Sequence, residues 1–180
     1  MRIEAEQTQC MIIDMQEKLM AAMSGRKRCE SRAIMLIKGL RVLGIPMLVT
    51  QQYTMGLGNS IPEVFEAVEK EEYFDKRTFS CTKDEAILSE LQKNNKGVVL
   101  ICGTEAHVCV LQTCIDLKKL GYTPVLVTDA IASRKKEDKK MALKRAEQEG
   151  ILLTTSEAVL FELLADSRHP KFREISTLVQ

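Results

Sequence analysis

Cys109 is the residue of this chain with the clearest capacity for chemistry. It follows an apolar run at 97–102 that ends at Gly103, and a helix-like pattern opens at Cys109 itself. A thiol at the mouth of a strand-to-helix turn lies near unpaired N–H groups and the positive end of a helix dipole, and both favour the thiolate. The position favours a nucleophile, with a small buried apolar residue as the alternative.

Asp14 and Lys76 are the residues that would complete such a site. Asp14 ends the first apolar run at 10–13, and Lys76 lies in the segment 73–80. If the strands are parallel, their carboxyl ends share one edge of the sheet, where Asp14 and Cys109 would both lie. An ammonium lowers the pKa of a thiol, and a carboxylate accepts and returns its proton. Taken singly, Asp14 also fits a turn cap and Lys76 a surface lysine.

Short apolar runs alternate with longer helical patterns along the chain. This alternation is typical of an α/β fold in which helices flank a parallel sheet. The sequence predicts a single domain over residues 1–180, a three-layer, Rossmann-like sandwich with helices on both faces of a mostly parallel sheet of five or six strands. The predicted strands lie at 10–13, 47–50, 98–102, 123–128 and 151–154.

Helical spacing and end signals place the helices between these strands. A capping box at 82–85 predicts one helix start, and Ser156 is the expected N-cap of the last helix. The long connection at 51–80 is interpreted as irregular, and connections of this length are often functional. The predicted helices cover 27–43, 62–67, 82–92, 109–120, 138–149 and 157–164.

Composition argues against polyanionic partners. The 26 basic and 25 acidic residues give a formal net charge of +1, so we expect no nucleic-acid partner and no membrane partner. The N-terminus has no apolar signal-peptide core, and no apolar stretch approaches a membrane span in length. The six cysteines contain no CxxC pair. We therefore expect a reduced, cytoplasmic protein.

Three blocks, at 12–16, 74–80 and 103–110, carry a resemblance to the isochorismatase-like cysteine hydrolases. The resemblance implies a triad in which Asp14 is the base, Lys76 the electrostatic partner and Cys109 the nucleophile. It also implies a cis peptide bond between Thr104 and Glu105, and an oxyanion hole formed by the N–H groups of Glu105 and Cys109. The implied reaction is hydrolysis of a small amide-type C–N bond through a thioester.

The histidine content indicates which branch of the superfamily the chain resembles. Nicotinamidases in the superfamily build a metal site after the second strand, but this chain has two histidines and none in that region, so we expect no metal and no cofactor. The segment 52–58 resembles the small YcaC-type and isochorismatase-domain branch. Glu105 departs from the small or apolar residue common in the family. A carboxylate there would raise the pKa of the thiol, repel anionic substrates and weaken activation of the cysteine, unless it points away or pairs with a cation such as Arg77. His107 is expected to pack or to form hydrogen bonds, with a role as a second base as the less favoured alternative.

The leading hypothesis is a metal-independent amide hydrolase with a small-molecule substrate, working as a homo-oligomer of two or more copies as in the family. The alternative is a non-catalytic oligomeric scaffold that retains the fold. A weaker option is a redox-sensing thiol protein, for which Cys114 is a poorly placed partner. The candidate substrate-binding residues are Gln16, Tyr53, Phe74 and Phe79.

Overall fold

The apolar runs pair into one sheet of six strands, all parallel. The computed structural model describes residues 1–180, and the strands stand in the order β3-β2-β1-β4-β5-β6. This order confirms the predicted three-layer α/β fold with a parallel sheet. The strands are β1 (Thr8–Ile13), β2 (Met47–Gln52), β3 (Phe74–Lys76), β4 (Val98–Thr104), β5 (Thr123–Ala132) and β6 (Leu152–Thr154).

Helices cover both faces of the sheet. The helices are α1 (Glu17–Ala22), α2 (Arg26–Val42), α3 (Thr54–Leu57), α4 (Pro62–Val68), α5 (Glu85–Asn94), α6 (Leu111–Lys119), α7 (Lys136–Gln148), α8 (Ser156–Leu164) and α9 (Phe172–Leu178). None of them combines the length and the apolar composition that a membrane crossing requires.

The side chains of the central strand β1 point alternately to the two faces of the sheet, and a separate apolar core lies on each face. Cys10 and Ile12 of β1 pack in one core with α1, α2, α4, α8 and α9. Met11 and Ile13 point to the opposite face and pack with α5, α6 and α7. Because β1 is buried on both faces, its sequence is a continuous apolar run without polar alternation.

The strand order reverses at β1, which lies between β2 and β4. Ile13, the last residue of β1, is aligned with Thr50 of β2 on one side and with Gly103 of β4 on the other. In sheets of this kind, the crevice beyond the carboxyl ends at the reversal point is the usual ligand-binding position. Asp14 immediately follows β1 at this point.

Gly103 allows β1 and β4 to approach closely beside that crevice. Its φ is +114°, a region that residues with a Cβ rarely adopt. A Cβ built there would lie 2.0 Å from the carbonyl oxygen of Ile13. The local backbone geometry therefore requires glycine at this position.

Several local predictions were wrong in detail. The segment 51–80 contains strand β3 and helix α3, and α1 and α9 were not predicted. Asp84, rather than Thr82, caps α5 by accepting hydrogen bonds from the N–H groups of Ala86 and Ile87. At α8, Thr155 takes the N-cap position and Ser156 is the first helical residue, with its N–H and hydroxyl both bound to the Asp129 carboxylate.

Replacing Gly103 by alanine is expected to lower the free energy of unfolding by about 3 kcal/mol or more, because the added methyl group overlaps a backbone carbonyl and the φ is unfavourable. Chemical denaturation measures the change. Gly97→Ala is the matched control, because a Cβ at Gly97 meets no atom within 4 Å. Equal stability of the two variants would contradict this account of Gly103.

Candidate functional site

A buried ion pair forms the base of the candidate site. The Lys76 ammonium lies 2.7 Å from Oδ2 of Asp14, and both side chains are fully buried. Asp14 follows β1 whereas Lys76 ends β3, so the pair spans β2, which lies between them. Thr50 of β2 donates a hydrogen bond of 2.7 Å to Oδ1 of Asp14. Each carboxylate oxygen therefore has a donor.

The Asp14 backbone is held in an unusual conformation. Its φ is +50°, in the left-handed region that non-glycine residues seldom adopt. Its N–H donates to the Thr50 carbonyl at 3.1 Å, and its own carbonyl accepts a 2.6 Å hydrogen bond from the Thr104 hydroxyl. Contacts from β2 and β4 thus fix the direction of the carboxylate.

Cys109 lies in a π-helical turn, Ala106–Val110, that precedes α6. The prediction that a helix opens at Cys109 was wrong by a few residues, because this wider turn comes first. The Glu105 carbonyl accepts from the N–H groups of both Val108 and Val110. The Cys109 carbonyl accepts a 2.6 Å hydrogen bond from the Thr113 hydroxyl, which fixes the turn against α6.

Gln52 connects the ion pair to the thiol, and the sequence analysis missed it. Its Oε1 accepts a 2.7 Å hydrogen bond from the Lys76 ammonium and lies 4.0 Å from the Cys109 sulfur. Its Nε2 donates to the Arg77 carbonyl at 2.9 Å. The only available signal in the sequence was its place two residues after the predicted strand at 47–50.

The thiol is protonated at neutral pH, contrary to the expectation of a thiolate. Burial raises the pKa of Cys109, the negative charge of Asp14 raises it further, and Lys76 lowers it by less, so that it reaches about 12. Burial lowers the pKa of Lys76, but attraction to the Asp14 carboxylate and the hydrogen bond to it oppose this effect, and the net direction is upward. Lys76 therefore remains an ammonium beside a neutral thiol and a carboxylate.

A second thiol, Cys81, lies behind the site. Its sulfur is 3.9 Å from the Thr50 hydroxyl, and its N–H donates to Thr113. Burial raises its pKa to about 11. All six cysteines are buried free thiols.

Glu105 has a cation as its partner, but the partner is not Arg77. Its Oε2 accepts hydrogen bonds from the side chain and the backbone N–H of Arg134, at 3.0 and 3.3 Å. The peptide bond between Thr104 and Glu105 is cis. The Glu105 N–H has no hydrogen-bond acceptor within the chain.

The four candidate substrate-binding residues have different environments. The Gln16 side chain is buried and bonds to the backbone of Gln52 and Gly58, so it braces the loop after β2. Tyr53 and Phe79 are exposed beside Gln52 and Lys76. Phe74 is half-buried and packs against the apolar core that contains Cys109.

His107 forms a hydrogen bond of 2.9 Å between its Nδ1 and the buried Ser133 hydroxyl. This contact ties the π-helical turn to the end of β5 and agrees with the expected hydrogen-bonding role. No group of three or more His, Cys, Asp or Glu side chains is arranged to hold a metal ion.

The sequence matches known proteins over most of its length. A family model described as the isochorismatase domain matches residues 8–158. Isochorismatase domain-containing protein 1 of Danio rerio is 40% identical over 169 residues, which cover 93% of this chain and 59% of that protein. The chain thus spans less than two thirds of the length of this relative.

Two solved structures share the fold closely. The MAR1 ribonuclease from Caenorhabditis elegans has a TM-score of 0.93 and 37% identity, with 99% of this chain and 92% of that chain covered. The YcaC gene product from Escherichia coli, described as an octameric hydrolase of unknown specificity, has a TM-score of 0.88 and 20% identity, with 98% and 95% covered. At 20% identity, the second likeness concerns the fold alone.

Asp14→Asn is expected to lower the pKa of Cys109, because it removes the negative charge that opposes the thiolate and leaves the Lys76 ammonium in place. Cys109 should then react with iodoacetamide at lower pH than in the parent protein. Rates measured across pH by mass spectrometry of the peptide that contains Cys109 would report the shift. Asp75→Asn is the control, since its carboxylate binds Thr54. An unchanged or higher midpoint for Asp14→Asn would contradict the assigned role of the charge.

Proposed function

Because this chain belongs to the isochorismatase family, we propose that it is a hydrolase that cleaves a small amide-type C–N bond through a thioester on Cys109. The observation that carries the proposal is the buried Asp14–Lys76 pair, joined through Gln52 to the thiol. A base, a fixed cation and a nucleophile in one crevice are the parts that covalent acyl transfer needs.

In the proposed first step, Asp14 accepts the thiol proton as the sulfur attacks the substrate carbonyl carbon. A C–S bond forms, and the carbonyl oxygen becomes an oxyanion. When the intermediate collapses, Asp14 returns the proton to the leaving nitrogen and the C–N bond breaks. Water then attacks the thioester with Asp14 again as base, releasing a carboxylic acid and the free thiol.

The raised pKa of the thiol supports a coupled transfer rather than a resting thiolate. With a pKa of about 12, Cys109 holds its proton at neutral pH until a base removes it. Lys76 is saturated by Asp14, Gln52 and the carbonyls of Thr78 and Phe79. Its proposed role is therefore electrostatic, and it donates no proton to the substrate.

The proposed oxyanion hole consists of the N–H groups of Glu105 and Cys109. The free N–H of Glu105 supports this assignment. The Glu105 carboxylate would otherwise repel the oxyanion, but its pairing with Arg134 offsets that charge. Each such donor typically contributes about 3 kcal/mol to stabilising the transition state.

We also propose that the chain forms a homo-oligomer, as the YcaC protein is described to do. Met55 and Phe79 are exposed and would suit a contact between copies. If the chain hydrolyses no amide, its alternative function is that of a non-catalytic scaffold formed by this oligomer.

Incubation with a library of small amides is expected to give an acyl adduct on Cys109, seen by intact-protein and peptide mass spectrometry. Cys109→Ala should abolish the adduct, whereas Cys114→Ala should keep it. Asp14→Asn should lower kcat by roughly 10²- to 10⁴-fold, the usual contribution of a general base. Absence of any adduct and of amide turnover would reject the proposal and favour the scaffold.

RNA cleavage is a second candidate function. It is favoured by the 37% identity to a protein described as MAR1 ribonuclease, which aligns with 99% of this chain. Phosphodiester cleavage needs proton transfer more than a sulfur nucleophile, and His107 at the edge of the π-helical turn is a candidate for that role. The nearby helix α7 carries several cations that would suit phosphates, including Lys140, Lys144 and Arg145.

Labelled single-stranded RNA separates the two functions. If the chain is an amide hydrolase, the purified protein should cleave RNA no faster than its His107→Ala variant, as measured by gel electrophoresis. RNA cleavage that survives in Cys109→Ala but falls at least about 10²-fold in His107→Ala would favour the ribonuclease instead.

A further inference from the structure

Arg77 forms no ion pair with any carboxylate of the chain. Its guanidinium carbon lies 3.8 Å from the centroid of the Tyr53 ring. The side chain is exposed and is absent from the ten ion pairs of the structure. Stacking fixes the plane of a guanidinium while its N–H donors stay available at the edge. Arg77 is therefore held in place with unused donors.

The segment that carries this cation is joined to the thiol site through Gln52. The Arg77 carbonyl accepts a 2.9 Å hydrogen bond from the Gln52 carboxamide, whose oxygen is 4.0 Å from the Cys109 sulfur. The Tyr53 N–H donates to the Lys76 carbonyl at 3.0 Å, which seats the ring at the carboxyl ends of β2 and β3. One carboxamide thus links the segment that carries the stacked guanidinium to the reacting atom.

The acids in this region are already engaged by other groups. Asp75 accepts hydrogen bonds of 2.7 Å from both the N–H and the hydroxyl of Thr54. Glu105 is paired with Arg134, and Asp14 with Lys76. The hydrogen bonds from Thr54, and to a smaller degree the charge of Arg77, lower the pKa of Asp75, so Asp75 is a charged neighbour of Arg77. Arg77 forms no ion pair with it, so the guanidinium donors stay available to an anion that arrives from solvent.

We infer that Arg77, stacked on Tyr53, selects substrates that carry a carboxylate on the part of the molecule remote from the scissile amide. A guanidinium presents parallel donors that match a carboxylate in planar, bidentate geometry. The neutral amide carbonyl lies at Cys109, and the carboxylate lies at Arg77. This inference rests on the proposed function and names its substrate class as carboxylate-bearing amides.

Two alkylating reagents with the same reactive carbon test the inference. Iodoacetate is anionic and iodoacetamide is neutral, so the ratio of their rates at Cys109 measures the attraction for a carboxylate. The measurement is made at about pH 9, where thiols react at a measurable rate whether or not the chain hydrolyses amides. Arg77→Gln should lower the iodoacetate rate about fivefold, the scale of a partly exposed ion pair, and leave the iodoacetamide rate unchanged.

The controls separate local charge from general effects. Arg77→Lys should retain part of the preference, and Arg173→Gln, on α9 at the opposite face of the sheet, should retain all of it. The preference should also fade at about 1 M salt, where charges are screened over about 3 Å. An equal rate ratio in Arg77→Gln and the parent protein would overturn the inference.

Steady-state kinetics with amide substrates distinguish a failure of this inference from a failure of the proposed function. For a carboxylate-bearing amide, Arg77→Gln should raise KM about fivefold with little change in kcat, while the methyl ester of the same amide should show no change. Acyl adducts on Cys109 with no dependence on Arg77 would reject only the carboxylate preference. Absence of adducts, with the alkylation ratio still dependent on Arg77, would reject only the hydrolase.

Discussion

Two opposite charges sealed from water, on Asp14 and Lys76, constrain everything around the crevice. Removing an ion from water costs several kcal/mol unless nearly all of its hydrogen-bonding capacity is satisfied. Asp14 meets this demand with Thr50 and Lys76, and Lys76 meets it with Asp14, Gln52 and two carbonyls. The ends of three strands and the conformation of Gln52 are thus fixed by one electrostatic requirement.

The same pair sets the state of the thiol. A lone cation beside Cys109 would favour a thiolate, but Asp14 is as much a neighbour as Lys76, and burial adds to its effect. The balance leaves a neutral thiol close to a carboxylate. In the proposed mechanism, such a site would avoid a permanently reactive thiolate, which is prone to oxidation, and would remove the thiol proton only as the substrate is attacked.

Much of the architecture could be predicted from the sequence, because long apolar runs and helical spacing indicate strands and helices whatever the details of tertiary packing. Asp14 and Cys109 were placed at one edge of the sheet because each follows a buried parallel strand. The three-residue strand β3 is too short to show a period, so Lys76 could be placed only by resemblance. The roles of Gln52 and Arg134 depend on which loops meet in space, and no local pattern reports that. The direction of the thiol pKa was wrong because burial and the Asp14 charge are tertiary properties.

Because all six cysteines are buried, the reactivity of their thiols reports whether the chain is folded. Cys10, Cys81, Cys102 and Cys114 have no exposed surface, while Cys109 and Cys29 expose 6% and 3%. A chain that loses its packing presents all six thiols to solvent. The pKa values that are raised in the folded chain, those of Cys29, Cys81, Cys102, Cys109 and Cys114, then return toward the ordinary range. The number of thiols that a reagent titrates quickly therefore counts the unfolded fraction of a sample without any added label. A purified batch can be graded in this way before any substrate is known.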